Sequence, residues 1–334
     1  MNATGQELGN GTGQEYASVR ACASAVSFLL LAFINLIINY TILRDEELRG
    51  QARFVLVFHL LFSGLVYFGV NSAFYLQIYL GARLSAGACL TLVTVLVTSA
   101  SNILLTLTAM ALDRYCAICF PLKYSALCGR QRPWLLGLGT WALALIIPLS
   151  LFLPPGAVAA DPSTCRRDQL KKGEVQKIVL LSLCTGLILF SYARILLEGR
   201  RLGVLSRRNR IGRKTIVMHG AQLAVYLLPT FVNFALHLLN RAGHLQAGAK
   251  ELFGVVNFAF FSLAQCIAPV IYGLRKEELL EKMHHRFPCL YCNLKGVLEW
   301  TVRAARPGLR HPPRERAMTA AQRLISVESP QTPV

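Results

Sequence analysis

The chain alternates long apolar runs with short polar breaks. Runs long enough to cross a bilayer as helices fall at 21–43, 54–80, 86–124, 133–153, 175–197, 215–239 and 252–274. The pattern predicts an all-α membrane protein, a seven-transmembrane helix bundle. Polar positions inside the runs are few. Asn35 and Asn39 lie one turn apart on one helix face, so they are expected to meet neighbouring helices rather than lipid. His59 is expected at a helix contact, with no metal partner in view. Pro133 sits where a helix tolerates proline, at its start, and Pro229 predicts a kink in the sixth run.

The flanking segments complete the organisation. Residues 1–20 form a polar, Gly-rich tail carrying two glycosylation sequons, at Asn2 and Asn10. A third, at Asn39, lies within the first run and is unusable there. Residues 21–274 form the membrane domain. In 275–288, Leu274, Leu279, Leu280, Met283 and Phe287 oppose Lys276, Glu277, Glu281 and Lys282, which predicts an amphipathic helix on the membrane surface. Residues 289–334 are polar, contain proline and are expected to be disordered in the cytoplasm.

Composition agrees. Of 334 residues, 54% are hydrophobic and 16% charged, and the mean hydropathy is +0.45. That is less charge than a soluble domain carries. The net charge of +18 would suit a nucleic-acid binder, but the basic residues lie between and after the apolar runs, where lipid headgroups account for them. No nucleic acid is expected. Arg200, Arg201, Arg207, Arg208, Arg210, Arg213 and Lys214 put much of the charge into one loop, which favours a cytoplasmic side for that loop and an extracellular N-terminus. The basic loop at 154–174 runs against this bias. The ten cysteines form no metal-binding spacing, and Cys116 and Cys119 lack the strand–helix setting of a redox pair. No metal or cofactor site and no enzymatic motif is found.

The third run closes on Asp113-Arg114-Tyr115, followed by Pro121-Leu122-Lys123-Tyr124. Taken alone, this is an interfacial charge pair whose arginine can reach water or a protein partner. With the stretches 53–62 and 110–124 and with Pro269-Val270-Ile271-Tyr272-Gly273-Leu274-Arg275, the chain resembles class A (rhodopsin-like) G-protein-coupled receptors over roughly residues 20–290. It is most similar to the odorant receptor 131-2-like group. The resemblance implies a plasma-membrane receptor, probed from outside by a small extracellular ligand and read inside by a heterotrimeric G protein, with membrane lipids and arrestin as further partners. It assigns Asp113, Arg114, Tyr115, Pro229, Pro269 and Tyr272 to coupling and activation. Cys89 and Cys165 both fall outside in this topology, where a disulfide persists, and the resemblance implies that they pair. Cys289 and Cys292 suit palmitoylation.

Several positions depart from the family pattern. Gly64, beside Ser63, stands where the family carries an acid, Ala268 where it carries an asparagine, Ile103 at a polar position and Leu227 at a tryptophan. Without those oxygen ligands no sodium ion is expected. The ligand pocket is expected among Leu96, Val97, Ala100, Ser101, Thr230, Phe231, Phe234, Phe258 and Ser262. Leu96 replaces the aspartate of amine receptors, so the expected ligand is neutral or weakly polar, with an acidic one left open by the basic 154–174 loop. Three other readings stand beside the olfactory one: a non-olfactory receptor for a lipid, peptide or metabolite; a receptor-like scaffold that does not signal; and a small transporter or channel, which the scarcity of mid-membrane charge disfavours.

Overall fold

In the computed structural model the described residues are 3–82, 84–120, 123–124, 132–152, 174–201, 247–269 and 277–288, with single positions and short runs between 220 and 243. Met1–Phe287 forms one compact unit. Its helices are α1 (Ala3–Arg44), α2 (Glu46–Arg49), α3 (Ala52–Leu80), α4 (Ala86–Cys119), α5 (Arg132–Phe152), α6 (Glu174–Arg201), α7 (Ala247–Pro269) and α8 (Glu277–Arg286). Among the described residues five helices are long and apolar enough to cross a membrane: Ser18–Arg44, Ala52–Leu80, Ala86–Cys119, Arg132–Ser150 and Val175–Arg201. Two shorter apolar helices follow, Leu227–Leu236 and Leu252–Leu263. The molecule is an all-α bundle built as a multi-span membrane protein.

The burial pattern is that of a protein solvated by lipid. On α1, Val26, Leu29, Leu30, Phe33 and Leu36 are exposed, while Ser24, Ser27, Asn35, Asn39 and Thr41 are buried. Large apolar side chains face outward at no cost where the solvent is hydrocarbon. Small and polar ones face inward, where they let helices approach and find hydrogen-bond partners. Asn71 Nδ2 donates to Ser24 Oγ at 2.8 Å and Ser72 Oγ donates to the same oxygen at 3.1 Å, joining α3 to α1. The expectation that Asn35 meets a neighbour holds: its Nδ2 donates to the Leu61 carbonyl.

Helix α4 is the hub, packed against α3, α5 and α6. Its buried face runs from Val93 through Ser99 and Thr106 to Ala111. Ser85 caps it by accepting from the Ala88 N–H. Helix α5 packs on α3 through His59, whose ring lies against Trp134 and over Gly137. A Cβ at Gly137 would overlap the imidazole, so any larger residue there must displace the His59 ring. Trp134 Nε1 donates to the Arg49 carbonyl, fixing the start of α5 to the end of α2.

Several boundaries differ from the sequence reading: α4 ends at Cys119, five residues before the end of its run, and α6 extends to Arg201, four residues past its run. Helix α1 begins at Ala3, where a tail was expected, because no proline stops the helix from extending out of the apolar run. Helix α7 begins a turn earlier than expected and is described as far as Pro269.

Candidate functional site

Two sites lie along the bundle, one at the Arg114 end of α4 and one among α1, α3, α4 and α7. At the first, the last turns of α4 present Asp113, Arg114 and Tyr115. Arg114 Nη2 lies 3.6 Å from Asp113 Oδ2, and the Asp113 side chain is only 6% exposed against 30% for Arg114. The carboxylate is therefore the anchored partner and the guanidinium the accessible one. Tyr124 clamps the acid further, its hydroxyl donating to Asp113 Oδ1 at 2.8 Å. Tyr115 turns the other way, into edge contacts with Phe120 and with Phe190 of α6. Tyr192, also on α6, is near enough to feel the Arg114 charge, and its ring closes on the backbone of Gly220. A Cβ there would stand 3.0 Å from Tyr192 Cε1, so the sixth segment passes close to α6 at this point.

Beside this end, α8 is tied down by charge. Arg53 Nη2 donates to Glu278 Oε1 at 2.7 Å and also reaches Oε2. Lys282 Nζ lies 3.1 Å from Asp45 Oδ2 and 3.3 Å from Glu47 Oε2. Burial alone would raise the Asp45 carboxyl, but the Leu48 and Glu47 N–H groups and Lys282 outweigh it and hold it below 3.8. Bonds to Asp45 and Glu47 raise the Lys282 ammonium. Leu279 and Met283 are the buried face of α8, while Glu278, Glu281, His284, His285 and Arg286 are exposed.

The second site is a cavity of about 320 Å³. Arg20 of α1, Tyr67 and Tyr75 of α3, Ala100, Ile103, Leu104 and Leu107 of α4, and Gly254, Asn257, Phe258 and Phe261 of α7 line it, with Leu227 and Pro229 from the sixth segment. Asn257 Nδ2 donates to the Pro229 carbonyl at 2.9 Å, binding α7 to the sixth segment at its proline.

Of the residues expected to line a pocket, Ala100 and Phe258 do, and Pro229 joins them. Leu96, Val97, Ser101 and Ser262 are buried but do not line this cavity; Phe231 is 41% exposed and Phe234 partly exposed. Thr230, Tyr272, Cys165, Cys289, Cys292 and Asn2 lie outside the described residues, as do the side chains of Asn10 and Pro269. Cys89 lies in the first turn of α4, and among the described residues Cys22, Cys119 and Cys184 stand outside any disulfide.

Sequence reasoning missed Arg20, Tyr67, Tyr75 and Asn257. Arg20 was assigned to the tail, and the two tyrosines are ordinary interface residues until the packing of α1, α3 and α7 is known. It also missed how the bundle fills the space between Ser63, Gly64 and Ile103. Asn102, one residue before Ile103, donates its Nδ2 to Ser63 Oγ at 2.6 Å, and Ser63 donates to the His59 carbonyl. Gln265 Oε1 lies 3.3 Å from where a Cβ on Gly64 would be. Neutral amides occupy this buried region, and no group of three metal-ligating acid, histidine or cysteine side chains occurs among the described residues.

The long apolar helices, packed around α4, define a multi-span helical membrane protein. The chain matches the 7 transmembrane receptor (rhodopsin family) over residues 34–272 and belongs to that family. Members are receptors and not enzymes. The chain is 24% identical over 287 residues to Probable G-protein coupled receptor 148 of Homo sapiens, covering 80% of each chain. It is 24% identical to Odorant receptor 131-2 of Danio rerio over 307 residues, 86% of this chain and 92% of the relative. It is 30% identical to Lysophosphatidic acid receptor 5 of Bos taurus over 196 residues, about half of each. These relatives share the family while their names imply different ligands.

Proposed function

We propose that the chain is a plasma-membrane receptor, with its N-terminus outside, that passes the binding of a small extracellular ligand to a heterotrimeric G protein. The observation that carries this reading is the Asp113–Arg114–Tyr124 cluster, in which the acid is fixed and the arginine is accessible. A partner that offers backbone carbonyls to Arg114 competes only with a long, partly solvated ion pair, so a modest change in neighbouring helices is enough to shift the balance. The close passage of the sixth segment by Tyr192 supports it as the moving neighbour. Pro229, Pro269 and Tyr272 act in the same transition.

Five long apolar helices and two shorter ones support seven crossings, with α8 on the cytoplasmic surface. A Cys89–Cys165 disulfide, glycans at Asn2 and Asn10, and palmitates at Cys289 and Cys292 complete the proposal. Likeness to an odorant receptor over most of both chains supports a chemosensory role. The partial likeness to a receptor named for lysophosphatidic acid favours a second reading, a receptor for an amphiphilic lipid.

The test is nucleotide exchange on G proteins in membranes bearing the full chain, with and without a panel of small odorants, comparing wild type with Arg114→Ala. Exchange above background that falls at least tenfold in the variant is the expected result. Exchange that survives the substitution overturns the coupling role of Arg114.

A further inference from the structure

We infer that the cavity among α1, α3, α4 and α7 selects a neutral ligand by a hydrogen bond that the ligand donates, from a hydroxyl or amide N–H on an apolar body, with Asn257 Oδ1 accepting it. The inference rests on the reading of this cavity as the ligand site of a receptor and names the ligand's chemical class.

Asn257 lines the cavity and is only 5% exposed. Its neighbour fixes its orientation. A carbonyl can only accept, so the amide must turn its nitrogen toward Pro229, and Nδ2 donates to the Pro229 carbonyl at 2.9 Å. The amide oxygen is thereby turned away from Pro229, and among the described residues it accepts no hydrogen bond. Asn35 Oδ1 and Asn102 Oδ1 also lack a donor there, but packing closes them off. Asn257 Oδ1 stays within reach of the cavity. An amide oxygen in a low-dielectric site is costly to leave without a donor. Water can serve it, and a ligand that displaces the water must bring its own donor or lose that bond. The requirement is for an O–H or N–H and not for charge.

The rest of the wall agrees. Edge contacts with Phe261 and Phe258 of α7, with ring centroids 5.6 and 6.1 Å apart, hold the Tyr67 and Tyr75 rings at the cavity. A tyrosine hydroxyl can give or take a second hydrogen bond from a ligand oxygen. Ile103, Leu104, Leu107 and Leu227 make the remaining wall largely hydrocarbon. Arg20 also lines the cavity, but it is engaged in contacts of its own, so the selection falls to the neutral groups. No carboxylate lines the cavity among the described residues, and a cationic ligand finds no counter-charge there. An ether, aldehyde or hydrocarbon of the same shape fills the space and leaves Asn257 unserved. Sites that hydrogen-bond a ligand hydroxyl reject analogues lacking it far more strongly than sites that only measure volume. Leu96 argues for a neutral ligand, and Asn257 adds the group that this ligand must carry.

The test uses the purified full chain in nanodiscs of zwitterionic phosphatidylcholine. Protection against thermal unfolding is read for four probes of equal length: nonan-1-ol, nonanal, 1-methoxyoctane and decane. Only the alcohol carries a donor. The expected result is protection by nonan-1-ol at concentrations about tenfold or more below those of the other three. In Asn257→Leu the alcohol loses this advantage and protects no better than 1-methoxyoctane. Aldehyde, ether or hydrocarbon equal to the alcohol in the wild type overturns the inference. The aldehyde arm is the sharpest, because a site selecting through its tyrosine donors would take aldehyde and alcohol alike. The wild-type series decides by itself should Asn257→Leu, which also loses the Pro229 bond, fail to fold. An advantage undiminished in a folded Asn257→Leu also overturns the inference, as does no protection of a folded wild type by the alcohol. Because protection is read without G protein, such a failure leaves the receptor reading intact, and nucleotide exchange tests that reading separately.

Discussion

The Arg114 end of the bundle and its middle are held by different chemistry. At the end, Arg53–Glu278, Lys282–Asp45 and Arg114–Asp113 are ion pairs with at least one partly exposed member. In the middle the polar contacts are neutral: Asn102 to Ser63, Asn71 to Ser24 and Asn257 to the Pro229 carbonyl. Charges stand where water offsets their desolvation, and amides stand where it does not. The contrast suggests which region is adjustable. Exposed pairs trade partners at little cost, whereas a buried amide that loses its partner stays unsatisfied. Arg20 is the exception, a cation placed among the neutral contacts, and it lies at the cavity.

Buried contacts should be the more costly to disturb. Gly137→Val drives a branched side chain into the His59 ring and is expected to destabilise the bundle by about 1–3 kcal/mol or more. His59→Ala in the same chain should recover part of the loss. Melting of the purified protein checks both, and an unchanged melting temperature in Gly137→Val would mean that α5 does not pack as described. Asn102→Ala removes the bond to Ser63 and is expected to cost about 0.6–2 kcal/mol, at low and high salt alike. A marked salt dependence there would erase the contrast between the two regions.

At the end of the bundle the effects should be smaller and tunable. Arg53→Ala is expected to cost less than about 1 kcal/mol, shrinking further as ionic strength rises. The Asp45–Lys282 contact adds a pH signature whose sign follows from the two shifts. The carboxyl is lowered from 3.8, so its contribution is present above that value and disappears as pH falls through the lower folded value. The ammonium is raised from 10.5, so its contribution is complete below that value and disappears as pH rises through the higher folded one. Melting curves of wild type against Lys282→Gln across pH should converge at both extremes and differ most near neutrality. A constant difference across the range would show that Lys282 acts through packing and not through charge.

The same physics explains what the sequence made readable. The membrane helices announce themselves because length and apolarity suffice to define them. The Asp113–Arg114 pair was visible because two charges at the end of an apolar run are costly without a purpose. The cavity was not visible, since Arg20, Tyr67 and Asn257 lie far apart in the chain and share a wall only once three helices have chosen their faces. Asn102 was hidden for a related reason: a shift of one residue along α4 decides whether an amide or Ile103 turns toward Ser63.

The link between α3 and α4 is short and doubly fastened. Gly81 adopts a left-handed conformation (φ 62°), the Ala82 N–H donates to the Gln77 carbonyl, and the Gln77 side chain donates back to the Ala82 carbonyl. Ser85 then starts the next helix. A connection this short leaves the facing ends of α3 and α4 little freedom to separate, so that the two helices stay neighbours where they turn.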